Sequence, residues 1–272
     1  MKYKKIFDLK NRVAVVTGAT GMLGKEFALA LAEYDCKVAI IDLNLKNVTS
    51  LSNKLTKKYG IKSIGINCDV SNVRDVKQMV KSVEEYLGPI DILLNNAASK
   101  SRSLDEYFKS LEKYNIDTWK EVIDVNLTGM YIVAKEIGAK MAKRKRGSII
   151  QTASIYSSVM ASDQRIYQGS RYLNKKINTP AVYAASKAGV VGLSLHLASY
   201  WAKSKVRVNT LSPGGVFSGQ NTTFVRNYSN RVPMNRMANK EEMVGAILYL
   251  ASDASSYVTG QNIFVDGGLS SW

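Results

Sequence analysis

The chain is short of the residues that build several common kinds of site. Only two cysteines, Cys36 and Cys68, occur in 272 residues, too few for a disulfide framework and in keeping with a reducing compartment. One histidine, His196, stands in a largely apolar helical pattern. It reads as a core or interface residue, and no metal is expected. The most apolar stretch, 188–202, is broken by Ser194, His196 and Ser199, so no run reaches the roughly 18 apolar residues of a membrane span. The opening Met1-Lys2-Tyr3-Lys4-Lys5 is basic, but no apolar signal core follows it. A soluble, cytoplasmic protein without a membrane partner is expected.

Acid is scarce in one region. Residues 155–240 hold a single acidic residue, Asp163, against twelve basic ones, so +11 of the total +16 lies there. Such asymmetry fits nucleic acid, an acidic membrane surface, an anionic small-molecule substrate, or a merely solvated basic face. No helix-turn-helix, zinc-ligand or base-stacking pattern supports nucleic acid. The separate run Lys143-Arg144-Lys145-Arg146 is expected to close a helix ahead of a Gly147 cap.

Strand-like apolar runs at 13–16, 37–42, 61–67, 90–95, 147–153, 206–211 and 262–265 alternate with helical patterns at 22–34, 46–59, 73–87, 118–143, 181–202 and 240–251. Strands that are apolar throughout, rather than at every second residue, belong to a parallel sheet covered on both faces. The expectation is an α/β, doubly wound Rossmann fold: one domain over 1–272 with a seven-stranded, mainly parallel sheet.

Directly after the first strand comes Thr17-Gly18-Ala19-Thr20-Gly21-Met22-Leu23-Gly24, opening the first helix. Glycines there allow a sharp turn, close approach of a pyrophosphate, and tight packing of helix on sheet, while the helix N-terminus receives the negative charge. Gly18, Thr20, Gly21, Met22, Leu23 and Gly24 are therefore candidate cofactor residues. Asp42 follows 24 residues beyond Gly18, at the end of the second strand. A carboxylate there accepts hydrogen bonds from a ribose 2′-hydroxyl and repels a 2′-phosphate. With no Lys or Arg in 18–24 and Leu43 next to the acid, NAD is favoured over NADP.

Tyr183 and Lys187 are spaced i, i+4 on a helical pattern, which puts both on one face. A phenol with a pKa near 10 is a poor base at neutral pH. An ammonium one turn away, helped by an oxidised nicotinamide, favours the phenolate.

Further motifs accompany this pair. In chain order they are Cys68-Asp69-Val70, Asn95-Asn96-Ala97-Ala98, Asp124-Val125-Asn126-Leu127-Thr128-Gly129, and Gly147 through Ser154. After them come Tyr183-Ala184-Ala185-Ser186-Lys187, Arg207-Val208-Asn209 leading to Ser212-Pro213-Gly214-Gly215, and Val265-Asp266-Gly267-Gly268. With the glycine turn and Asp42, these make the chain resemble the short-chain dehydrogenase/reductase family, in its compact single-domain branch, along nearly its full length. The resemblance implies that Tyr183 is the general acid/base, Lys187 lowers its pKa and holds the nicotinamide ribose, Ser154 hydrogen-bonds the substrate oxygen, and Asn126 supports a water relay. The alternatives are that Asn126 merely bridges a helix kink and that Ser154 is a strand-end serine. It further implies that Asp69 and Val70 lie at the adenine, that Asn95 and Ala97 border the cofactor, and that Pro213, Gly214 and Val216 lie against the nicotinamide. The chemistry implied is hydride transfer between a carbinol carbon and nicotinamide.

Three departures from the family pattern stand out. The middle glycine is Gly21, one place early, with Met22 in its usual position, as in the longer sugar-nucleotide branch; the substrate domain of that branch is absent from these 272 residues. A threonine often found after the Pro-Gly is replaced by Phe217-Ser218-Gly219-Gln220. Ser154 and Tyr183 are 29 residues apart, a longer gap than the family usually has. The extra residues, about 156–180, are expected to overhang the substrate or to form an oligomer contact, with Arg165 and Tyr167 as candidate substrate residues. A flexible segment at about 217–239 with Arg226, Arg231 and Arg236 is expected to flank the same cleft. Guanidiniums pair well with phosphate or carboxylate, so an anionic, hydroxyl-rich, sugar-like substrate is expected. Together with Ser212 to Phe217, the insertion resembles oxidoreductases of bacterial surface-sugar and flagellin-glycan pathways, which implies carbohydrate biosynthesis. Competing expectations are an NADP-dependent 3-oxoacyl-type carbonyl reductase and a non-catalytic dinucleotide sensor on the same fold. The family resemblance also implies a homo-oligomer, tetramer or dimer.

Overall fold

The structure, a computed structural model, describes residues 3–157, 161–172 and 174–271. Parts of the expected insertion, 158–160 and 173, and the first two residues of the basic opening lie outside the described residues. The chain runs β1 Val13–Thr17, α1 Met22–Glu33, β2 Lys37–Asp42, α2 Leu45–Tyr59, β3 Ser63–Asn67, α3 Val73–Leu87 and β4 Ile92–Asn95. It continues through α4 Leu104–Tyr107, α5 Ile116–Ile123, a π-helical turn Asp124–Gly129, α6 Met130–Arg144 and β5 Gly147–Thr152. The remainder is β6 Arg171–Tyr172, β7 Lys175–Lys176, α7 Ala181–Trp201, β8 Val206–Pro213, α8 Thr222–Ser229, α9 Val244–Ala251 and β9 Asn262–Val265.

Seven strands form one sheet in the order β3-β2-β1-β4-β5-β8-β9, and every pairing in it is parallel. The continuous apolar strands have a simple cause. In β1, Ala14 and Val16 enter the core beneath α1, α2 and α9, while Val13 and Val15 enter the opposite core beneath α3, α6 and α7. Successive side chains point to opposite faces, and here both faces are buried. The order of strands reverses between β1 and β4, and the carboxyl ends of strands flanking such a reversal leave a crevice.

Several local expectations change. The expected helix 118–143 is two helices joined by the π turn that contains Asn126. Helix α6 is capped by Lys145 in the left-handed region (φ 54°), not by Gly147. Gly147 instead opens β5, where a Cβ would strike Met141 Sδ at 2.4 Å. The segment 217–239, expected to be flexible, contains α8, which buries Phe224 and Tyr228. Together with Ile155, Tyr156 and Ile166 these form a third small core under the insertion. The insertion itself carries the antiparallel β6–β7 hairpin, pinned on two sides. Lys175 pairs with Asp105 of α4, and Asn221 at the start of α8 donates to Arg171 O (3.0 Å).

Among the described residues one helix, spanning 181–204, has the length and mean hydropathy (1.2) of a membrane-crossing segment. Its inward face carries Ser186, Lys187 and Ser194, all buried against the protein. His196 lies on the outer face, exposed and stacked on Tyr200 at 6.0 Å, so it is no core residue. Both cysteines are buried, and burial pushes their thiols up to about 12, which leaves neither as a nucleophile.

Candidate active site

A cleft of about 870 Å³ opens over the carboxyl ends of the central strands. The glycine turn forms one wall. Gly18 has φ +61°, and a Cβ there would meet Ala97 Cα at 2.8 Å, so only glycine lets this turn lie against the β4 loop. Helices α2 and α3 are capped by Asn44 and Asn72. Helix α1 begins at Gly21 with no side-chain cap, which leaves backbone N–H groups at the cleft wall for an anion. Gly24 faces the turn itself, where a Cβ would stand 2.1 Å from Gly18 O. It packs helix on turn and does not line the cleft, whereas Gly18, Thr20, Gly21, Met22 and Leu23 do.

Asp42 lines the same wall. The Thr20 N–H and hydroxyl donate to Asp42 Oδ2 at 2.9 and 2.6 Å, and the Leu43 N–H donates to Oδ1 at 2.8 Å. A carboxylate has about four acceptor sites, so one remains on Oδ1. Asp69 and Val70 also line the cleft, with the Asp69 carboxylate held by the Ser71 N–H and hydroxyl (2.9 and 2.6 Å).

Two expected cofactor or catalytic residues are placed elsewhere. Asn95 is buried below the floor: Oδ1 accepts from the Thr17 hydroxyl (3.2 Å) and Nδ2 donates to Met130 O (2.8 Å). It ties β1 and β4 to α6, and its neighbours Asn96 and Ala97 line the cleft instead. The Asn126 side chain is spent on Ser99, accepting from its N–H (2.7 Å) and donating to its carbonyl (3.3 Å). This bridges the π turn to the β4 loop.

Ser154, Tyr183 and Lys187 are brought together where the cleft meets a second compartment. The Tyr156 N–H donates to Ser154 Oγ (3.2 Å), and the Ser154 hydroxyl is hydrogen-bonded to the Tyr183 phenol. Lys187 is buried, its Nζ donating to Thr152 O at 2.8 Å. Burial lowers its pKa to about 8. Burial also raises the Tyr183 phenol, with the Ser154 hydrogen bond opposing it. The expected lowering of Tyr183 is therefore not a property of the polypeptide alone, in which desolvation outweighs the Ser154 hydrogen bond. Beside them, on the cleft wall, the Thr152 hydroxyl is buried with no hydrogen-bond partner among the described residues.

The second compartment, about 280 Å³, shares Ser154, Tyr183, Pro213, Gly214, Val216 and Lys100 with the cleft. Aromatic rings dominate its wall, with Tyr167 against Phe224 at 5.5 Å and Phe224 against Tyr228 at 6.0 Å. Tyr167 lines this compartment, its hydroxyl bonded to Thr179. The arginines do not. Arg165 is bound at the surface to Asp163 (2.9 Å), Arg231 to the same carboxylate, and Arg236 to Glu242 (2.6 Å). None of these three, nor Arg226, lines either compartment. With Lys175 on Asp105 and Lys240 on Glu26, five of the twelve cations in 155–240 have a carboxylate partner among the described residues. Phe224 and Tyr228 carried a sequence signal, the i, i+4 spacing of a buried helical face. Lys100 carried none.

A sequence profile described as Enoyl-(Acyl carrier protein) reductase matches residues 18–270. The chain is 34% identical over 267 residues to a sorbose reductase of Candida albicans, covering 97% of this chain and 88% of the relative. It is 34% identical over 269 residues to a 2-dehydro-3-deoxy-D-gluconate 5-dehydrogenase of Pseudoalteromonas atlantica, covering 96% and 97%. A solved gluconate 5-dehydrogenase from Burkholderia cenocepacia, in complex with NADP and tartrate, superposes with a TM-score of 0.85 at 28% identity, covering 98% of both chains.

Proposed function

The chain belongs to the short-chain dehydrogenase/reductase family, oxidoreductases that act on CH–OH groups with a nicotinamide cofactor, and from that premise we propose that it moves a hydride between NAD and a secondary alcohol or ketone of an anionic, polyhydroxylated small molecule. The observation that carries this is the meeting of Ser154, Tyr183 and Lys187 at the junction of a nucleotide-sized cleft with a smaller aromatic compartment.

The residues fit the cofactor. The uncapped start of α1 offers N–H groups to the pyrophosphate, and the open acceptor on Asp42 suits a ribose hydroxyl. Among the described cleft-lining residues, the stretches next to Asp42 (18–23, 41–43 and 68–71) hold no Lys or Arg to receive a 2′-phosphate, which favours NAD even though the Burkholderia relative is in complex with NADP. When bound, nicotinamide supplies the hydride acceptor and, oxidised, a positive charge that favours phenolate. Tyr183 takes the substrate hydroxyl proton during oxidation and returns it during reduction. Ser154 donates to the developing oxyanion, and Lys187 holds the ribose and adds positive charge near the phenol. Sugar and sugar-acid names among the relatives support a hydroxyl-rich, acidic substrate.

The exposed apolar residues Leu195 and Tyr200 on α7 and Tyr131 on α6 support a homo-oligomer built on those helices. The two unreactive thiols suit the cytoplasm.

The test is absorbance at 340 nm with NAD or NADP and a set of sugar acids and alditols. Oxidation with NAD that disappears in Tyr183→Phe is the expected result. Turnover that survives Tyr183→Phe unchanged would overturn the assignment.

A further inference from the structure

The smaller compartment is walled by neutral groups with one exception. Among its described lining residues, Lys100 is the single formally charged side chain. Its ammonium lies over the Tyr172 ring, 4.9 Å from the centroid. The other cations nearby have partners: Arg102 has Glu121 at 3.7 Å, Lys187 has Thr152 O, and Lys175 has Asp105. Lys100 makes no ion pair among the described residues. The side chain as a whole is exposed, and packing against the compartment wall lowers the pKa of its ammonium.

Tyr172 belongs to the β6–β7 hairpin, and that hairpin is fixed from two sides by Asp105 and Asn221. The ring therefore holds the ammonium at a defined place on the wall that Ser154 and Tyr183 share. A compartment of about 280 Å³ is at the small end of ligand sites, sized for a monosaccharide. A lone ammonium gives one positive charge and no bidentate fork, which suits a singly charged carboxylate better than a dianionic phosphate.

We infer that Lys100, held by Tyr172 of the inserted hairpin, is the specificity-determining residue that receives the carboxylate of a monosaccharide-sized sugar acid. The inference rests on the hydride-transfer function proposed above and names its substrate class and the residue that reads it. Tyr172 acts through Lys100 and is a positioning residue.

The experiment uses the NADH-loaded protein, in which no alcohol turns over, and measures binding of matched acid–alditol pairs by calorimetry: D-gluconate with D-glucitol, D-galactonate with galactitol, and L-tartrate with L-threitol. The wild type is expected to bind at least one acid about tenfold to a hundredfold more tightly than its alditol, the range of a charge-assisted hydrogen bond. Lys100→Met brings the ratio of the two Kd values near unity, and Lys100→Arg restores part of it. Tyr172→Leu lowers the ratio several-fold, while Tyr172→Phe, which keeps the ring face, retains it.

The proposal is overturned if no acid binds more tightly than its alditol, or if Lys100→Met keeps the preference. It is equally overturned if Lys100→Met weakens NADH by the same factor as the acid, since Lys100 then serves the cofactor. A Lys100-dependent preference for acids with no oxidation of any of them by NAD or NADP leaves the carboxylate receptor standing and removes the hydride-transfer assignment, so the two fail separately.

Discussion

Replacing Asp42 changes cofactor choice in a way whose size follows from its surroundings. The extra phosphate of NADP carries about −1.5 to −2 charges at neutral pH. At about 4 Å a pair of unit charges costs ~1 kcal/mol in water and ~4 kcal/mol at the effective dielectric of a protein surface. Asp42 is half-buried at the edge of an open cleft, so the lower part of that range applies, roughly 1–2 kcal/mol for each charge on the phosphate. The wild type therefore disfavours NADPH by about 2–4 kcal/mol, roughly 30-fold to several hundredfold. A ribose hydroxyl donating to the free Oδ1 site adds about 1.5–3 kcal/mol on the NADH side. Asp42→Ala removes both effects, and the Kd ratio is expected to fall to within about fivefold of unity. That change also strips Thr20 of its two bonds to Oδ2, so Asp42→Asn is the sharper variant. It keeps size and one acceptor oxygen, discards the charge, and should strengthen NADPH by at least about tenfold while weakening NADH by less than that. Fluorescence titration of the two reduced cofactors reads all three proteins. A wild type that prefers NADPH, or a preference for NADH that survives both substitutions, contradicts the ribose-reading role.

Four further outcomes are expected. Tyr183→Phe lowers kcat by about 10²–10⁴-fold and Ser154→Ala by about 10²–10³-fold, both leaving the Kd of NADH within a few-fold by titration. Lys187 has its pKa depressed to about 8 from 10.5, so its buried charge opposes folding fully below pH 8, and the opposition fades as pH rises from 8 to 10.5. Thermal melts of the cofactor-free protein should accordingly show Lys187→Met gaining less, relative to wild type, at pH 9.5 than at pH 7, and a gain that grows with pH contradicts the buried ammonium. Asn95→Ala is expected to cost about 2–4 kcal/mol in urea unfolding, since it strands the Thr17 hydroxyl and the Met130 carbonyl, while the Kd of NADH stays within a few-fold; a large loss of NADH affinity with unchanged stability would return Asn95 to the cofactor. Gly24→Ala forces a Cβ into Gly18 O and Ala19 Cα, backbone atoms that cannot swing away, and should cost at least about 3 kcal/mol and lose NADH binding.

The fold was legible because its rules are local and periodic. Apolar strands alternating with 3.6-residue patterns leave few arrangements open, and the seven strands of the main sheet are the seven expected, with ends shifted by at most two residues, while the β6–β7 hairpin was not foreseen. The glycine turn was legible for the same reason: Gly18 must take a positive φ, and chain order puts it between β1 and α1. Tyr183 and Lys187 were legible because four residues on a helix fix a shared face.

What only the tertiary structure decided depends on contacts between segments far apart in sequence. Motif position could not tell that Asn95 points below the floor while Ala97 borders the cleft, because that follows from Thr17 and Met130 closing around it. Counting charges in 155–240 gave the sign of the region but not its use. Asp163 takes two of the arginines and Glu242 another, and the cation left facing the substrate compartment comes from outside that region, at Lys100. Nor could residue types alone say that burial would raise Tyr183 and lower Lys187 together. Desolvation depends on everything packed around a group, and a linear sequence specifies that packing only once the chain has closed on itself.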